Sequence, residues 1–371
     1  MSRRKLSLGR LEAYVLRHTL IGVAVSLGVI SFMILLINFV ELSRTLSGRT
    51  ADISPGLTAY LTLLQSPSLI LILFPFAFLF GVLGAFANLN RRSELIAMRA
   101  AGVSAWRFIF PAAAASATIG VITVLALNPL ASVLNGEFQA REAALEAAFQ
   151  GASAKPIWLR QGDGRTQVII LGRRQKPGLG VDLLDVSLFR YAVRPDGHLD
   201  FRQRVDAQEA VLKNHQWILT GAKSAEAGAK SETYGAYAIP STLDERTALE
   251  HVATPAAVPF WSLPGVIQRT EGAGFSATSY RLQFHQLLAT PVMYSGMAVL
   301  AAAFSLRLMR LGGMARLAAA AVALGFVFFF LNQLCVSLGR ADVLPAFFAA
   351  WTPPLLALLS GLTLLCYTED G

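Results

Sequence analysis

The sequence predicts an α-helical membrane protein with six transmembrane helices (three plus three) and an inserted all-β, jelly-roll-like domain. Two observations lead to this fold class. Of the 371 residues, 54% are hydrophobic and only 15% are charged, a balance far from that of a soluble domain. Six uncharged runs are also long enough to cross a bilayer, which takes about 20 residues.

The six runs fall into two groups of three, separated by the polar insert. The first run is too long for a signal-peptide core and lacks a small-residue cleavage site, so we expect it to be retained. We therefore expect a transmembrane region at 1–131, the insert at 132–278 and a second transmembrane region at 279–371. The runs are Thr19 to Val40, Ala59 to Ala87, Phe108 to Leu127, Gln286 to Leu306, Leu317 to Ser337 and Leu344 to Cys366.

Basic residues predict the orientation of the spans. Twelve Lys/Arg flank the spans on one side: five in the N-terminal segment, four after the second span and three after the fourth. Because Lys and Arg concentrate in cytoplasmic loops, we expect both termini in the cytoplasm and the insert on the outer side. The insert holds sixteen Lys/Arg and sixteen Asp/Glu, so the net charge of +9 comes from the membrane flanks. Without a basic soluble region, the composition argues against nucleic-acid binding.

The insert begins with a helical pattern and continues with strands. Glu137 to Gln150 extends the third span, with Glu137 and Arg141 spaced for an i,i+4 ion pair. After Lys155, short apolar or alternating segments are broken by Gly, Asp, Asn and Pro, as in a sandwich, barrel or jelly roll. These segments are IWLRQ, RTQVIILG, LLDVSLFRY, AQEAVLKNHQWILTGAK and ETYGAYAI.

Catalytic and metal-binding patterns are missing from the sequence. It has no G-x-x-x-x-G-K-[ST] phosphate loop, and its five histidines are scattered, so ATP-driven work has to come from a separate chain and no metal site is predicted. The spans contain no Asp, Glu, Lys, Arg or His, which disfavours a proton-coupled transporter or an intramembrane hydrolase. The polar residues Asn38, Gln65 and Asn332 within the spans leave both classes open.

The polar interval between the second and third spans has the layout of a short amphipathic helix at about 90–104. Asn90 is placed to cap its start, Glu94 lies in the first turn, Arg99 lies near the end and Gly102 is a natural stop. The spacing alone fits two interpretations equally well. One is an ordinary positive-inside loop, and the other is a coupling helix that a motor protein pushes.

Four arginines are expected to cluster at the outer membrane face: Arg44, Arg49, Arg141 and Arg281. Lipid snorkelling and binding of an anionic amphiphile both account for them. For the apolar face of the insert, a plain β core is preferred over a lipid-carrying groove.

The segment RRSELIAMRAAGVS, preceded by FPFAFLFGVLGAFANLN, resembles the permease family of the bacterial lipopolysaccharide exporter, the LptF and LptG subunits. The resemblance covers the whole plan, through the closing LGRADVLPAFFAAWTPPLLALLSGLTLLCYTEDG. The LPFAFLFG-like stretch of the second span (Phe74 to Gly81), the RSEL motif and the short C-terminus favour LptG. The alternatives are the sister subunit LptF, or a membrane scaffold that an ATPase works mechanically without lipid passage.

The resemblance implies a non-enzymatic permease subunit in the inner membrane of a Gram-negative bacterium. Its implied partners are a sister LptF-type permease, two cytoplasmic LptB-type ATPases, a single-span LptC-type bridge protein, lipopolysaccharide and membrane lipids. No cofactor is expected in this chain, because ATP and Mg²⁺ belong to the ATPase. The implied ATPase-coupling residues are Glu94, Arg92, Ser93, Leu95 and Arg99, and the implied lipopolysaccharide-binding residues are Arg44, Arg49, Arg141, Arg281 and Asn38, where Asn38 replaces a Lys of some relatives.

Overall fold

A computed structural model describes residues 9–47, 54–150, 157–162, 166–174, 182–194, 198–213, 215–226, 230–241, 255–272, 276–308 and 314–369. Within these ranges, six helices are long and apolar enough to cross a membrane, which confirms the six predicted spans. The helices are α1 (Arg10–Ser47), α2 (Pro55–Arg91), α3 (Glu94–Ala100), α4 (Ala105–Ile122), α5 (Asn128–Gln150), α6 (Leu263–Gly272), α7 (Thr278–Leu308), α8 (Met314–Arg340) and α9 (Ala346–Glu369).

The third span is a continuous helix that includes one wider turn. A π-helical segment, Thr123–Leu127, joins α4 to α5. The helical extension predicted beyond the third span is present in α5, where the Nε of Arg141 lies 2.7 Å from an oxygen of Glu137.

The chain divides into two compact units. One contains the membrane helices and comprises Met1–Arg44, Pro55–Ala131 and Arg281–Gly371. The other contains the β domain and comprises Thr45–Ser54 and Ser132–Tyr280.

The core of the membrane unit is built around α2. Phe78 of α2 is fully buried and stacks on Tyr294 of α7, with ring centroids 4.5 Å apart. Helix α1 crosses α2 at two glycines, Gly22 and Gly81. A Cβ added to Gly81 would lie only 2.5 Å from the Cα of Val23. Small residues allow this close approach of two helix backbones in a membrane. Only 6% of the most apolar stretch of α1 is buried, against 44% for α2, so α1 packs on this unit through a narrow strip.

The β domain is an antiparallel sheet of six described strands. They are β1 (Ile157–Gly162), β2 (Thr166–Arg174), β3 (Asp182–Val193), β4 (Leu199–Lys213), β5 (Gln216–Glu226) and β6 (Glu232–Pro240). Each strand pairs with its sequence neighbour, giving the order β1-β2-β3-β4-β5-β6. The all-β prediction is confirmed. Among the described strands the order is that of a meander, without the Greek-key crossovers of a jelly roll.

One face of this sheet forms the core of the domain. Cross-strand neighbours such as Leu188 and Val205 are fully buried, because the period of two sends alternate side chains to the same face. The buried set comprises Leu159, Val168, Ile170, Leu183, Val186, Leu188, Val205, Ala207, Ala210, Leu212, Trp217, Leu219, Ala222 and Ile239.

A buried glutamine connects the first strand to the last two. Gln161 of β1 is 2% exposed. Its amide nitrogen donates to the carbonyl of Pro240 (3.2 Å), and its oxygen accepts from the Nε1 of Trp217 (3.2 Å) and the hydroxyl of Ser241 (2.6 Å). The sheet therefore curls until β1 meets the end of β6 and the start of β5.

Candidate functional site

The segment between the second and third spans forms a tight reversal followed by a short helix. Helix α2 runs on to Arg91, and the amide of Ser93 donates to the carbonyl of Asn90 over 2.9 Å. Ser93 has φ 58° in the left-handed region and makes no side-chain cap to α3. The prediction that Asn90 caps the helix is therefore wrong: Asn90 belongs to the last turn of α2, and α3 begins four residues later.

The end of α3 matches the sequence prediction at Gly102. The amide of Gly102 donates to the carbonyl of Arg99 (2.9 Å) and that of Val103 to the carbonyl of Met98 (3.1 Å). These two bonds form a Schellman motif, which needs a left-handed residue after the helix, and Gly102 has φ 79°. The helix is thus Glu94–Ala100 rather than about 90–104, because the flanking residues at both ends belong to turns.

The two faces of α3 differ sharply in exposure. Leu95 is 1% exposed and belongs to the same core as Val15, Leu89 and Phe108. On the other side Ile96 is 60% exposed, and Arg92 and Ser93 are also exposed. Of the five predicted coupling residues, Leu95 therefore anchors the helix to its own chain and leaves a partner no surface to contact.

Glu94 and Arg99 sit at opposite ends of α3 and contact different helices. The hydroxyl of Tyr14 in α1 donates to a carboxylate oxygen of Glu94 over 2.9 Å. A guanidinium nitrogen of Arg99 donates to the carbonyl of Thr368, near the end of α9, over 3.3 Å. The structure thus joins α3 to both the first and the last membrane helices of the chain.

An ion pair connects the start of α4 to the start of α1. The Nε of Arg107 in α4 lies 2.7 Å from one oxygen of Glu12 in α1. The other oxygen of Glu12 accepts from the amide of Gly9 over 2.8 Å. Sequence reasoning counted Arg107 only as a topology signal and missed both Glu12 and Tyr14, because their partners lie 80 or more residues away.

The predicted lipid-binding residues are distributed over three helices. Arg44 and Arg281 are exposed and lie in the membrane unit, on α1 and α7, whereas Arg141 is exposed on α5 in the β unit. Arg49 lies outside the described residues. The predicted cluster of these arginines stays a prediction.

Asn38 has an internal partner. It is 6% exposed, and its amide nitrogen lies 3.4 Å from the hydroxyl of Ser66 in α2. That hydroxyl donates to the carbonyl of Thr62 over 2.6 Å. In this chain Asn38 therefore forms a polar contact between α1 and α2.

Six helices long and apolar enough to span a membrane, an inserted β domain and a short helix with one exposed face between the second and third spans define, within the described residues, a multi-pass membrane protein. The family model described as the lipopolysaccharide export system permease LptF/LptG matches residues 13–367. The chain belongs to that family. No curated protein matches the sequence.

Proposed function

We propose that this chain is the LptG-type permease subunit that extracts lipopolysaccharide from the outer leaflet of the inner membrane, driven by a separate ATPase docked on α3. The observation that carries the proposal is the family match over residues 13–367. It is taken with the α3 helix, which exposes one face and buries Leu95 of the other face in the core. Family membership supplies the class of substrate. The exposed face of α3 supplies a place where a motor subunit can act.

The proposed ATPase contact combines a charge with an apolar surface. Glu94 lies in the first turn of α3 with partial exposure, and Arg92, Ser93 and Ile96 are exposed around it. A carboxylate beside the exposed apolar side chain of Ile96 suits a basic residue of a partner, since a charge-assisted hydrogen bond strengthens as water is excluded. Arg99 lies at the other end of the helix, where it contacts α9.

On the opposite membrane face, we propose that Arg44, Arg49, Arg141 and Arg281 attract the phosphates of lipopolysaccharide. A lipid with several acyl chains needs a wide apolar cavity, and the exposed apolar side of α1 supports one wall of it. The second wall would come from a sister LptF-type permease. A single-span LptC-type protein would continue the route from the β domain in the periplasm, and ATP and Mg²⁺ would be bound by the ATPase alone.

The docking proposal is tested by pull-down of the ATPase from cells that co-express the whole complex. Glu94→Ala should abolish or strongly reduce ATPase recovery while the permease stays in the membrane. Glu137→Ala is the matched control, since that carboxylate is exposed on α5. Normal ATPase recovery with Glu94→Ala would remove the role assigned to Glu94.

The substrate proposal is tested by mass spectrometry of the complex purified in mild detergent. Copurified lipopolysaccharide together with a second permease supports export. An intact ATPase partner without lipopolysaccharide supports a mechanical scaffold instead. Arg44→Glu should reduce photocrosslinking to lipopolysaccharide, and unchanged crosslinking would leave Arg44 as a snorkelling residue.

A further inference from the structure

Helix α1 is long, but little of its apolar stretch is buried against the rest of its unit. It spans Arg10–Ser47, and only 6% of its most apolar stretch is buried. Its close contact with α2, at Gly22 and Gly81, lies about three turns from its start. A force that reaches α1 from the end where α3 lies therefore has to pass through the side chains at its base.

At that base, two polar side-chain links from the described residues of α1 reach other helices, in addition to the apolar packing of Val15. Glu12 pairs with Arg107 of α4 at 2.7 Å. Tyr14 donates its hydroxyl to Glu94 of α3 at 2.9 Å. Because α3 is the element proposed to receive the ATPase, the Tyr14–Glu94 bond is a direct polar link between the driven helix and α1, beside the apolar core that Val15 and Leu95 share.

The environment of Tyr14 favours a defined geometry for this bond. Its ring lies against the ring of His18, one turn further along α1, with centroids 4.3 Å apart. Next to it, Val15 is fully buried in the core that also contains Leu95, the residue that follows Glu94. The same core thus fixes the backbones on both sides of the hydrogen bond, and a hydroxyl-to-carboxylate bond is among the stronger kinds.

We propose that Tyr14 is a positioning residue whose hydroxyl holds the Glu94 carboxylate to the base of α1, so that α1 follows α3 when the docked ATPase moves α3. This inference rests on the proposed function, because it takes α3 as the docking element. It adds that Glu94 serves two partners: one oxygen accepts from Tyr14, which leaves the other oxygen for the ATPase.

Two conservative variants separate the link from the docking contact. Tyr14→Phe keeps the ring and removes the hydroxyl. Glu94→Gln keeps an oxygen that accepts from Tyr14 and removes the charge. We expect Tyr14→Phe to retain ATPase recovery in pull-down and Glu94→Gln to lose it. Tyr191→Phe, at a half-buried tyrosine of β3, is the matched control for losing a phenolic hydroxyl.

The first readout is lipopolysaccharide release per ATP hydrolysed by the reconstituted complex. Tyr14→Phe should lower this ratio by about fivefold, the population ratio that one hydrogen bond in a solvent-exposed setting maintains, whereas Tyr191→Phe should leave it unchanged. The second readout is the spin-label distance between Arg17→Cys on α1 and Ala97→Cys on α3, with Cys335 and Cys366 replaced by alanine. Both labelled positions are exposed, and Tyr14→Phe should broaden the distance distribution.

Each outcome for Tyr14→Phe decides the inference. Retained ATPase recovery with a lower release ratio and a broader distribution supports it. An unchanged ratio overturns it, whether or not the distribution broadens. Loss of ATPase recovery also overturns it, because Tyr14 would then act in docking itself. The proposed docking role fails separately, if Glu94→Ala retains the ATPase.

Discussion

The buried amide of Gln161 is expected to hold the curled sheet of the β domain closed, and Gln161→Leu tests this. The substitution keeps the side chain close in volume but removes three hydrogen bonds. Ser241 is half-buried and Pro240 is exposed, so their freed groups gain water. Trp217 is 0% exposed, so its Nε1–H is left buried without an acceptor.

The orphaned indole donor of Trp217 dominates the expected cost. Leaving a buried donor unsatisfied costs about 1–3 kcal/mol, and we expect about 2–3 kcal/mol here because two further bonds of Gln161 are also lost. Since 1.4 kcal/mol corresponds to a factor of about ten, the opening equilibrium of the first and last strands should rise by roughly 30- to 150-fold.

Hydrogen–deuterium exchange of the full-length protein in detergent measures this opening. Exchange of amides in β1, β5 and β6 should accelerate in Gln161→Leu, while exchange in the membrane helices stays unchanged. Gln216→Leu is the matched control, because Gln216 is exposed at the start of β5. If Gln161→Leu accelerates exchange no more than Gln216→Leu does, the bonds of Gln161 do not hold the sheet closed.

Two further predictions concern helix packing and pH. Gly81→Ala should destabilise the membrane unit by about 1–3 kcal/mol, because the added Cβ would lie 2.5 Å from the Cα of Val23. Gly84→Ala is the control and should not destabilise it, because nothing lies within 4 Å of a Cβ at that position. Equal thermal stabilities of the two variants would contradict the close crossing. In the β domain, two hydrogen bonds from Arg194 (both 2.7 Å) lower the pKa of Asp200. Its stabilisation is therefore present above the usual Asp pKa of about 3.9 and is lost as the pH falls through the lower folded value. The native protein should melt at a higher temperature than Asp200→Asn at neutral pH, and the difference between the two melting temperatures should disappear in acid. A difference that does not depend on pH would refute the pairing.

Spans and most strands were predictable because burial in lipid or in a sheet imposes a regular pattern on the sequence. The first half of β4 shows where that pattern fails. In the segment from Leu199 to Val205 the apolar Leu199 and Phe201 are exposed while the polar Gln203 is buried. Gln203 satisfies its amide by donating to Ser224 over 2.9 Å, a partner on the next strand that no local pattern could identify.

The candidate site was predictable in its location and less so in its details. Glu94 in the first turn, Arg99 in the last turn and Gly102 beyond the end follow from local rules of helix capping and helix dipoles. The face that Leu95 buries does not, because a seven-residue helix leaves too few apolar positions to define a stripe. Nor does the Tyr14 contact, since it joins residues 80 positions apart.

The shortness of α3 bears on how it can transmit force. An isolated helix below about 12 residues is marginal in water, so the seven residues of α3 hold their shape through external supports. These supports are the buried Leu95, the Schellman turn at Gly102, and the links from Glu94 to α1 and from Arg99 to α9. A helix fixed at both ends and along one face moves as a rigid body with its neighbours. If an ATPase docks on α3 as proposed, a push on its exposed face at Ile96 would therefore be delivered to the first and last membrane helices together, rather than absorbed by bending of α3 itself.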